Sequence, residues 1–551
     1  VLRATKTYSL LLGESYHPDV LRDALDRDRL LDRLWIGIEN RPHSPRTIPA
    51  EQADLQGGDI PLFSTRPGSR HIWTSTNQTI PDFLNESSLD AVRRRIGVLD
   101  EEDLSRQAWF IRASLSTLTM GKGQTHWKGY ETVEPSGPVT REDLIAAARK
   151  VAERIDLLAM RGGDSVSWLG ITLINERSWN LLPVTGDLYS GIPGIALFLG
   201  YFASVTGEER YSNLARLAIG PLRKQIEVEL PQGPLRGAIG GFTGWGGLVY
   251  ALTHLSSIWS EPALIAEAEA VAGQLSEQIQ QDQALDVISG SAGCIGALMS
   301  LYRYWPSERT LATAIQCGER LLERAQSHES GAAWMTTLKS TQPLTGYSHG
   351  AAGMAWALLQ LAAASGEKRF ERAAREAIAY ERAVFDPEKQ NWPDFRDMSD
   401  FQEDPQNEPR GRMMCAWCHG APGIGLSRIG MMPYLDDAEL ISEIRTAVNS
   451  TFAKGFGNNH SLCHGDLGNI DLLLEAERLN KNLVSKTDLD RVTAVIHNSI
   501  KSNGWLCGVP LGVETPGLLT GLAGIGYELL RLAEPDRVPS VLMLAPPLRT
   551  C

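Results

Sequence analysis

Apolar stretches alternate with polar helical segments through the last three quarters of the chain. Seven stretches rich in Ala and Leu have no consistent polar face, and IALFLGYF and MAWALLQLA are two of them. A helix that is apolar around most of its circumference is typically buried. Between these stretches lie polar segments of helical period, such as 208–226, 262–280, 309–325 and 369–384. The pattern predicts repeated pairs of one polar and one buried helix.

A G-x-x-G step precedes each apolar stretch and defines a sevenfold repeat. Glycines at a helix start permit tight turns and close backbone approach. Repeats of this length indicate an architecture in which each unit buries its apolar face against its neighbours. We therefore predict an all-α, double-layered α/α toroid of seven helix pairs, with the glycine-rich loops gathered at one end. The steps, spaced 45 to 70 residues apart, begin at Gly191, Gly244, Gly290, Gly350, Gly420, Gly465 and Gly521.

Residues 1–135 contain no G-x-x-G step and are predicted to form a separate, partial mixed α/β domain. They hold a charged helical run over 21–34 and an amphipathic region over 89–118. The stretch 121–138 is rich in Gly and Pro, which is typical of a linker. The predicted domains are therefore 1–135 and 136–551.

The composition indicates a globular protein without affinity for nucleic acid. The 551 residues are 43% hydrophobic and 22% charged, and the formal net charge of −13 leaves no cationic surface for phosphates. No apolar run approaches the ~18 residues of a membrane helix, since the stretch 192–202 is interrupted by Pro193. Seven cysteines fit free or metal-bound thiols in a reducing compartment better than a disulfide framework. We expect a cytoplasmic monomer without stable membrane insertion.

Four of the loops carry titratable or metal-binding side chains near one repeat position. Taken singly, an Asp before a helix is usually an N-cap, and a lone His is usually a buried structural residue. Two Cys-His-Gly triplets in register are hard to explain by packing, and thiolate and imidazole are ligands that zinc takes readily. The sequence therefore predicts a zinc site. The side chains are those of Asp286, His349, Cys418 with His419, and Cys463 with His464.

Spacing alone leaves the chemistry of the cysteines open. Ligation by all of Cys418, His419, Cys463 and His464 would make a closed structural site, whereas three ligands would leave a position for substrate. The Cys415-Ala-Trp-Cys418 run also fits a redox C-x-x-C. That interpretation is disfavoured because no βαβ pattern surrounds the run and Cys415 lies outside the repeat register.

The ordered loops W-C-H-G, C-H-G and S-H-G resemble those of the lanthionine synthetase C-like cyclases. The chain most resembles the C-terminal part of a class II lanthipeptide synthetase, with the cyclase likeness covering about 140–540. Residues 1–120, including 57–63, look like the end of that family's dehydratase domain. A first residue other than Met agrees with a chain taken from a longer protein.

The resemblance implies one Zn²⁺ ion held by Cys418, Cys463 and His464, with His419 as a neighbour and second candidate acid. It also implies a dehydrated, leader-bearing precursor peptide as partner, whose Cys thiols add to dehydroalanine or dehydrobutyrine to give lanthionine or methyllanthionine. An imidazole can accept the thiol proton and return one to carbon. We expect His349 to do so, with Asp286 orienting it.

The chain departs from the family pattern at two points. Some family cyclases carry an Arg four residues before the first zinc Cys and a Tyr just after it, where this chain has Met414 and His419. The Arg role is then absent or taken by Arg412 or Arg428. No kinase-like ATP site is visible in 1–135, so ATP and Mg²⁺ are expected only for a dehydratase region not visible in this chain.

Two other functions compete with the cyclase interpretation. One is a non-catalytic, zinc-containing α-toroid that binds thiol peptides such as glutathione. The other is a glycoside hydrolase, which needs two facing carboxylates. Only Asp286 with Asp187 or Asp466 offers such a pair, and this interpretation leaves the cysteines unexplained.

Overall fold

The chain divides into two compact units, Val1–Gln107 and Ala108–Cys551. The computed structural model describes residues 2–40, 44–120, 128–135, 137–175, 178–397 and 413–548. No helix within these ranges is both long enough and apolar enough to cross a membrane.

The smaller unit combines short helices with a small antiparallel sheet, in which β2 (Ile72–Trp73) is the central strand. Its core contains Tyr8, Leu31 and Ile48. The buried carboxylate of Glu51 accepts a hydrogen bond from the Tyr8 hydroxyl at 2.8 Å and pairs with Arg3 at 3.1 Å, as a buried charge requires. The elements are α1 Thr5–Ser15, α2 Pro18–Leu21, α3 Ala24–Leu31, α4 Ile48–Gln56, β1 Ser64–Thr65, β2 Ile72–Trp73, β3 Thr79–Ile80 and α5 Ser88–Gly97.

The division between the units falls within the next helix, α6 (Glu101–Thr117), and therefore before the predicted boundary at 135/136. Trp109 and Met120 belong to the core of the larger unit, and the Trp109 indole N–H donates to the Glu514 carbonyl at 3.1 Å. The boundary at 135/136 stays a prediction. Of the predicted linker, residues 121–127 and 136 lie outside the described residues.

Within the described residues of the larger unit, seven buried helices form an inner ring. Each packs against the next, and the last packs back against the first. Each begins directly after the first glycine of its G-x-x-G step, as the repeat predicts. They are α8 Ile192–Thr206, α10 Trp245–Trp259, α13 Ser291–Tyr304, α15 Ala351–Ser365, α17 Ala421–Met431, α19 Asp466–Leu479 and α21 Leu522–Ala533.

Seven more polar helices cover this ring from outside, so the prediction of a double-layered α/α toroid is confirmed. Six of them follow their inner partners in the chain. The seventh, α7, precedes the ring in sequence and packs on the last inner helix, α21, so that the two ends of the repeat close the toroid. The outer helices are α7 Arg141–Leu158, α9 Glu209–Glu229, α11 Pro262–Ala272, α14 Glu308–Arg324, α16 Lys368–Ala383, α18 Glu439–Lys454 and α20 Lys486–Asn503.

The other α-helix and strands described in the larger unit are one short helix and three antiparallel strand pairs at the periphery of the toroid. They are β4 Met160–Gly162 with β5 Ser165–Ser167, β6 Leu169–Asn175 with β7 Ser178–Pro183, α12 Ser276–Gln281, and β8 Gln326–His328 with β9 Gly331–Ala333.

The second glycine of each G-x-x-G step lets the loop approach the first turn of the inner helix. A Cβ atom at Gly468 would lie 1.8 Å from the Leu462 carbonyl oxygen, and one at Gly524 would lie 1.8 Å from that of Leu518. No side chain tolerates such a contact. The glycines are therefore required for packing of the loop against the helix.

A closed circle of backbone hydrogen bonds joins the seven loops. In each loop the backbone N–H two or three residues before the first glycine donates to the carbonyl of the next loop, at 2.8–3.2 Å. The last loop donates back to the first, through Leu519 N–H and the Tyr189 carbonyl. The circle runs from Tyr189 to Phe242, Ile288, Ser348, Cys418, Cys463 and Leu519, with Val287 donating to Ser348.

The C-terminal segment 538–545 fills the centre of the inner ring. Tyr250 of α10 donates to the Ala545 carbonyl at 3.0 Å, and Arg531 of α21 donates to the Val538 carbonyl at 2.9 Å. The side chain of Leu544 is buried against Gly241 and Gly296. This segment therefore closes the bore beneath the loops.

We predict that Leu544→Ala lowers the free energy of unfolding by about 2–5 kcal/mol, because it opens a cavity where inner helices converge. Chemical denaturation followed by circular dichroism measures the change. Leu548→Ala is the matched control, since Leu548 is 41% exposed and its truncation should change stability by less than about 0.5 kcal/mol. Equal effects of the two substitutions would contradict a packed axis.

Candidate active site

The circle of loop hydrogen bonds places five of the six predicted site residues, all except Asp286, at two successive positions. Cys418 and Cys463 are circle residues on neighbouring loops, joined by a hydrogen bond from Cys418 N–H to the Cys463 carbonyl at 3.2 Å. His349, His419 and His464 each follow a circle residue directly. The same backbone geometry thus brings two thiols and three imidazoles to one end of the toroid.

Asp286 and His349 form a hydrogen-bonded dyad. The distance from His349 Nδ1 to Asp286 Oδ2 is 2.5 Å. The carboxylate is buried and is held from its other side by the Ser289 backbone N–H at 2.7 Å, whereas the imidazole remains 19% exposed. A carboxylate at Nδ1 fixes the imidazole tautomer, so that Nε2 is the nitrogen left for proton exchange.

His419 lies behind His349 and is fully buried. The two rings stack with centroids 5.7 Å apart and an angle of 24° between their planes. Burial and the nearby charge of Arg396 hold the pKa of His419 well below its usual range, against the opposing effect of Asp394. His419 is therefore a neutral imidazole at physiological pH.

Asp394 and Arg396 flank His419 and were not found by sequence reasoning. Asp394 Oδ1 lies 3.6 Å from His419 Nδ1. The Arg396 guanidinium binds Asp394 through Nε at 3.0 Å and one Nη at 2.6 Å. Burial acts to raise the pKa of Asp394, but the charge and forked hydrogen bonds of Arg396 outweigh it, and this pKa is about 2. Neither residue lies in a glycine-rich loop, so the repeat gives no signal for them.

Arg396 lies close to Met414, which occupies the position of the Arg in the family pattern. Its Nη2 lies 3.6 Å from the Met414 sulfur, so a guanidinium reaches the position where the family pattern has an Arg. Arg428 is fully buried in α17 and paired with Glu381 at 2.9 Å, which commits it to the helix packing. Arg412 lies outside the described residues.

The two thiols interact with each other and with a phenol. The Cys418 thiol donates to the Cys463 sulfur, which raises the pKa of Cys418 and lowers that of Cys463, whose thiolate His464 and Tyr189 also stabilise. The Tyr189 hydroxyl donates to Cys463 Sγ at 3.1 Å. Tyr189 was missed because sequence reasoning considered only Cys, His and carboxylate side chains in the loops, although Tyr189 occupies the circle position in the first repeat.

The donor set suits zinc by its chemistry, since two thiols and an imidazole are ligands that zinc prefers. As the side chains stand, no group of three or more His, Cys, Asp or Glu residues within the described ranges is arranged to hold a metal ion. Cys463 interacts with Cys418, His464 and Tyr189. Ligation of zinc by Cys418, Cys463 and His464 stays a prediction.

The other chemical candidates are occupied by local partners. Cys415 Sγ lies 3.7 Å from the Ser450 carbonyl, and Cys415 and Cys418 are both free thiols. Asp187 accepts the Ser190 N–H at 2.8 Å, and Asp466 accepts the Tyr130 hydroxyl at 2.6 Å. These contacts hold both carboxylates in place within the loops.

Comparison with known proteins places this site in a family. The lanthionine synthetase C-like protein family model matches residues 183–543, and a domain of unknown function (DUF4135) matches 1–66. The lacticin 481/lactococcin biosynthesis protein LcnDR2 of Lactococcus lactis is 22% identical over 98% of this chain. The chain spans 56% of the length of LcnDR2.

Two further proteins are similar to part of this chain. The zebrafish (Danio rerio) glutathione S-transferase LANCL1 is 21% identical over 54% of this chain and 83% of its own length. The solved structure of nisin cyclase covers 73% of this chain and 97% of its own, with 18% identity and a TM-score of 0.49. The predicted resemblance to a class II lanthipeptide synthetase is confirmed by the family matches at both ends of the chain together with LcnDR2. The chain belongs to the lanthionine synthetase C-like family.

Proposed function

We propose that this chain is a zinc-dependent cyclase that forms lanthionine and methyllanthionine in a dehydrated precursor peptide. The observation that carries the proposal is the placement of the Asp286–His349 dyad beside two thiols on neighbouring loops. Family membership and the names of two relatives, a lacticin biosynthesis protein and nisin cyclase, support the same reaction.

Cys418, Cys463 and His464 would hold the zinc ion. A bound zinc ion would keep the substrate Cys as a thiolate at neutral pH, where a free thiol with a pKa near 8.5 is mostly protonated. Tyr189 would then donate its hydrogen bond to a sulfur of the ligand set, because its hydroxyl already lies 3.1 Å from Cys463 Sγ. Burial raises the pKa of Tyr189 well above its usual value, so this phenol remains a neutral donor.

His349 would transfer the proton during the addition reaction. The new bond joins the thiol sulfur to the β-carbon of the dehydro residue, and the double-bond electrons move toward the α-carbon and its carbonyl. His349 Nε2 takes the thiol proton and returns a proton to the α-carbon, so no external reactant is needed. Asp286 holds Nδ1 at 2.5 Å and stabilises the transient imidazolium.

The second histidine and its neighbours would set the environment of the first. His419 is buried behind His349, and we assign it the role of backing that ring rather than touching substrate. Arg396 places a positive charge near the thiols and near the developing enolate, which such a charge stabilises. Asp394 holds both groups in place.

The alternative is a non-catalytic toroid that binds a thiol peptide such as glutathione. The likeness to a protein named glutathione S-transferase LANCL1 supports this alternative function. It predicts binding of glutathione without loss of substrate thiols, whereas the cyclase consumes them.

We predict about one zinc ion per chain in purified protein and its loss in Cys463→Ala and Cys418→Ala. Both substitutions remove a thiolate that contributes to binding. Zinc is measured by inductively coupled plasma mass spectrometry. Cys415→Ala is the control, since this thiol lies outside the circle, and it should keep its zinc. X-ray absorption with two sulfur and two imidazole ligands would contradict an open fourth position.

His349→Asn is expected to lower the cyclisation rate by about 10²–10⁴-fold while zinc content stays constant, because it removes the proton-transfer group and not a ligand. The assay supplies a pre-dehydrated precursor and counts remaining thiols by alkylation and mass spectrometry. His328→Asn on β8 is the control, because His328 is exposed and outside the site. Complete thiol loss with His349→Asn would refute the assignment.

Asp394→Asn should lower the free energy of unfolding by about 2 kcal/mol at pH 7. The pKa of about 2 in the folded state lies below the value of about 3.9 in an unfolded chain. A lowered carboxyl pKa stabilises the fold above pH 4, and this contribution is lost as the pH falls toward 2.

Urea unfolding of wild type and Asp394→Asn between pH 7 and pH 3 measures this, and the difference should shrink below pH 4. Asp436→Asn is the matched control, because Asp436 is exposed. A difference that does not change with pH would contradict the charge argument.

A further inference from the structure

A groove of about 1190 Å³ lies on the larger unit beside the Asp286–His349 dyad. It is lined by the C-terminal end of α9, by α12 and by the loop 232–239. Trp245, the first residue of α10, also lines it.

One residue separates the groove from the dyad. Ser289 lines the inner end of the groove, and its backbone N–H donates to Asp286 Oδ1 at 2.7 Å. Its hydroxyl lies 2.7 Å from the Thr243 hydroxyl of the neighbouring loop. A ligand that fills the groove therefore ends next to the carboxylate that orients His349.

The walls carry amide side chains at high density. Five glutamines line the groove, and Gln278 Oε1 is buried without a hydrogen bond from the described residues. A glutamine side chain offers both an acceptor and two donors, which matches the alternating C=O and N–H groups of an extended backbone. The glutamines are Gln225, Gln232, Gln278, Gln281 and Gln283.

The groove is lined by three carboxylates, those of Glu229, Glu277 and Asp282, and by one guanidinium, that of Arg236. Glu229 accepts a hydrogen bond from Gln225 at 2.7 Å, and Glu277 accepts one from Gln281 at 3.2 Å. Arg236 supplies one positive charge, and its carbonyl accepts the Trp245 indole N–H at 2.8 Å, which fixes the ring. The excess of negative charge does not match a phosphate or an acidic peptide.

We propose that this groove binds an extended stretch of the substrate peptide, without acidic side chains, that flanks the reacting residues. The volume exceeds the ~300–1000 Å³ typical of small-molecule sites, which favours a peptide over a free thiol such as glutathione. The assignment rests on the proposed function, since the groove would deliver peptide to the dyad. Contacts along the groove position the peptide; the chemistry remains with His349.

The test compares two neutral synthetic peptides with blocked ends, each with one dehydroalanine and one Cys. One has about twelve residues and reaches into the groove, and the other is a tetrapeptide confined to the reacting centre. Gln278→Leu removes an amide that lines the groove, and Ala238→Trp fills the groove from an exposed position. Gln326→Leu and Gln326→Trp on β8 are matched controls, because Gln326 is exposed outside the groove.

For the long peptide, both groove variants should raise KM about five- to tenfold with kcat nearly unchanged, since about one contact to the peptide is lost. For the tetrapeptide, and in both controls, KM should stay constant. Equal KM values for the long peptide in wild type and both groove variants would overturn the proposal that the peptide binds in the groove. A rise in KM for both peptides would also overturn it, because the substitutions would then act on the reacting centre.

A non-reactive form of the long peptide, with Ala for dehydroalanine and Ser for Cys, separates the groove from the proposed function. Fluorescence anisotropy should show saturable binding to wild type and a five- to tenfold weaker Kd in the groove variants. Binding without cyclisation of the reactive peptide would refute the proposed cyclase activity but support peptide binding in the groove. Cyclisation without saturable binding, or with equal Kd in the groove variants, would refute the groove alone.

Discussion

The closed circle of backbone hydrogen bonds between the loops is the constraint on which the candidate site depends. A buried N–H or C=O group must find a partner, and here each loop satisfies its neighbour rather than itself. Each such bond contributes only about 0.5–1.5 kcal/mol net, so its main effect is geometric. The circle fixes one residue of every loop in the same orientation around the axis. It closes only because glycines such as Gly468 and Gly524 let each loop lie against its helix.

This geometry explains why chemistry gathers at one end of a repeat that is otherwise built for packing. Cys418 and Cys463 are 45 residues apart in the chain but adjacent on the circle. The residue after a circle position faces the same end, which is where His349, His419 and His464 lie. In the first repeat the circle position holds Tyr189. Its hydroxyl donates a hydrogen bond to Cys463 Sγ in the sixth repeat. Because the circle positions of the seven loops are equivalent, the side chain of one loop can change without a change in the backbone of the toroid.

The buried charged groups around His419 hold the side chains of the site in fixed positions. Transfer of an unpaired carboxylate into the interior is costly, and Asp394 is stabilised there by the forked hydrogen bonds of Arg396. The pair keeps a positive charge beside the thiols and holds the pKa of His419 low. The two His–Asp combinations are therefore not equivalent. The Asp286–His349 combination is open to solvent and to the neighbouring groove, whereas the Asp394–His419 combination is closed.

The sequence by itself determined the architecture. The seven G-x-x-G steps, the apolar helices after them and the polar helices between them predict a double-layered toroid, because helix periodicity and glycine packing are local properties. The same register predicted that Cys418, Cys463, His349 and His464 lie at one end. Only the tertiary structure decided which groups surround them. Asp394 and Arg396 follow an outer helix, Tyr189 belongs to the far end of the repeat, and the C-terminal segment fills the axis; these contacts join parts of the chain that no local pattern relates. Side-chain contacts of this kind depend on how the ring closes, and ring closure is a property of the whole fold.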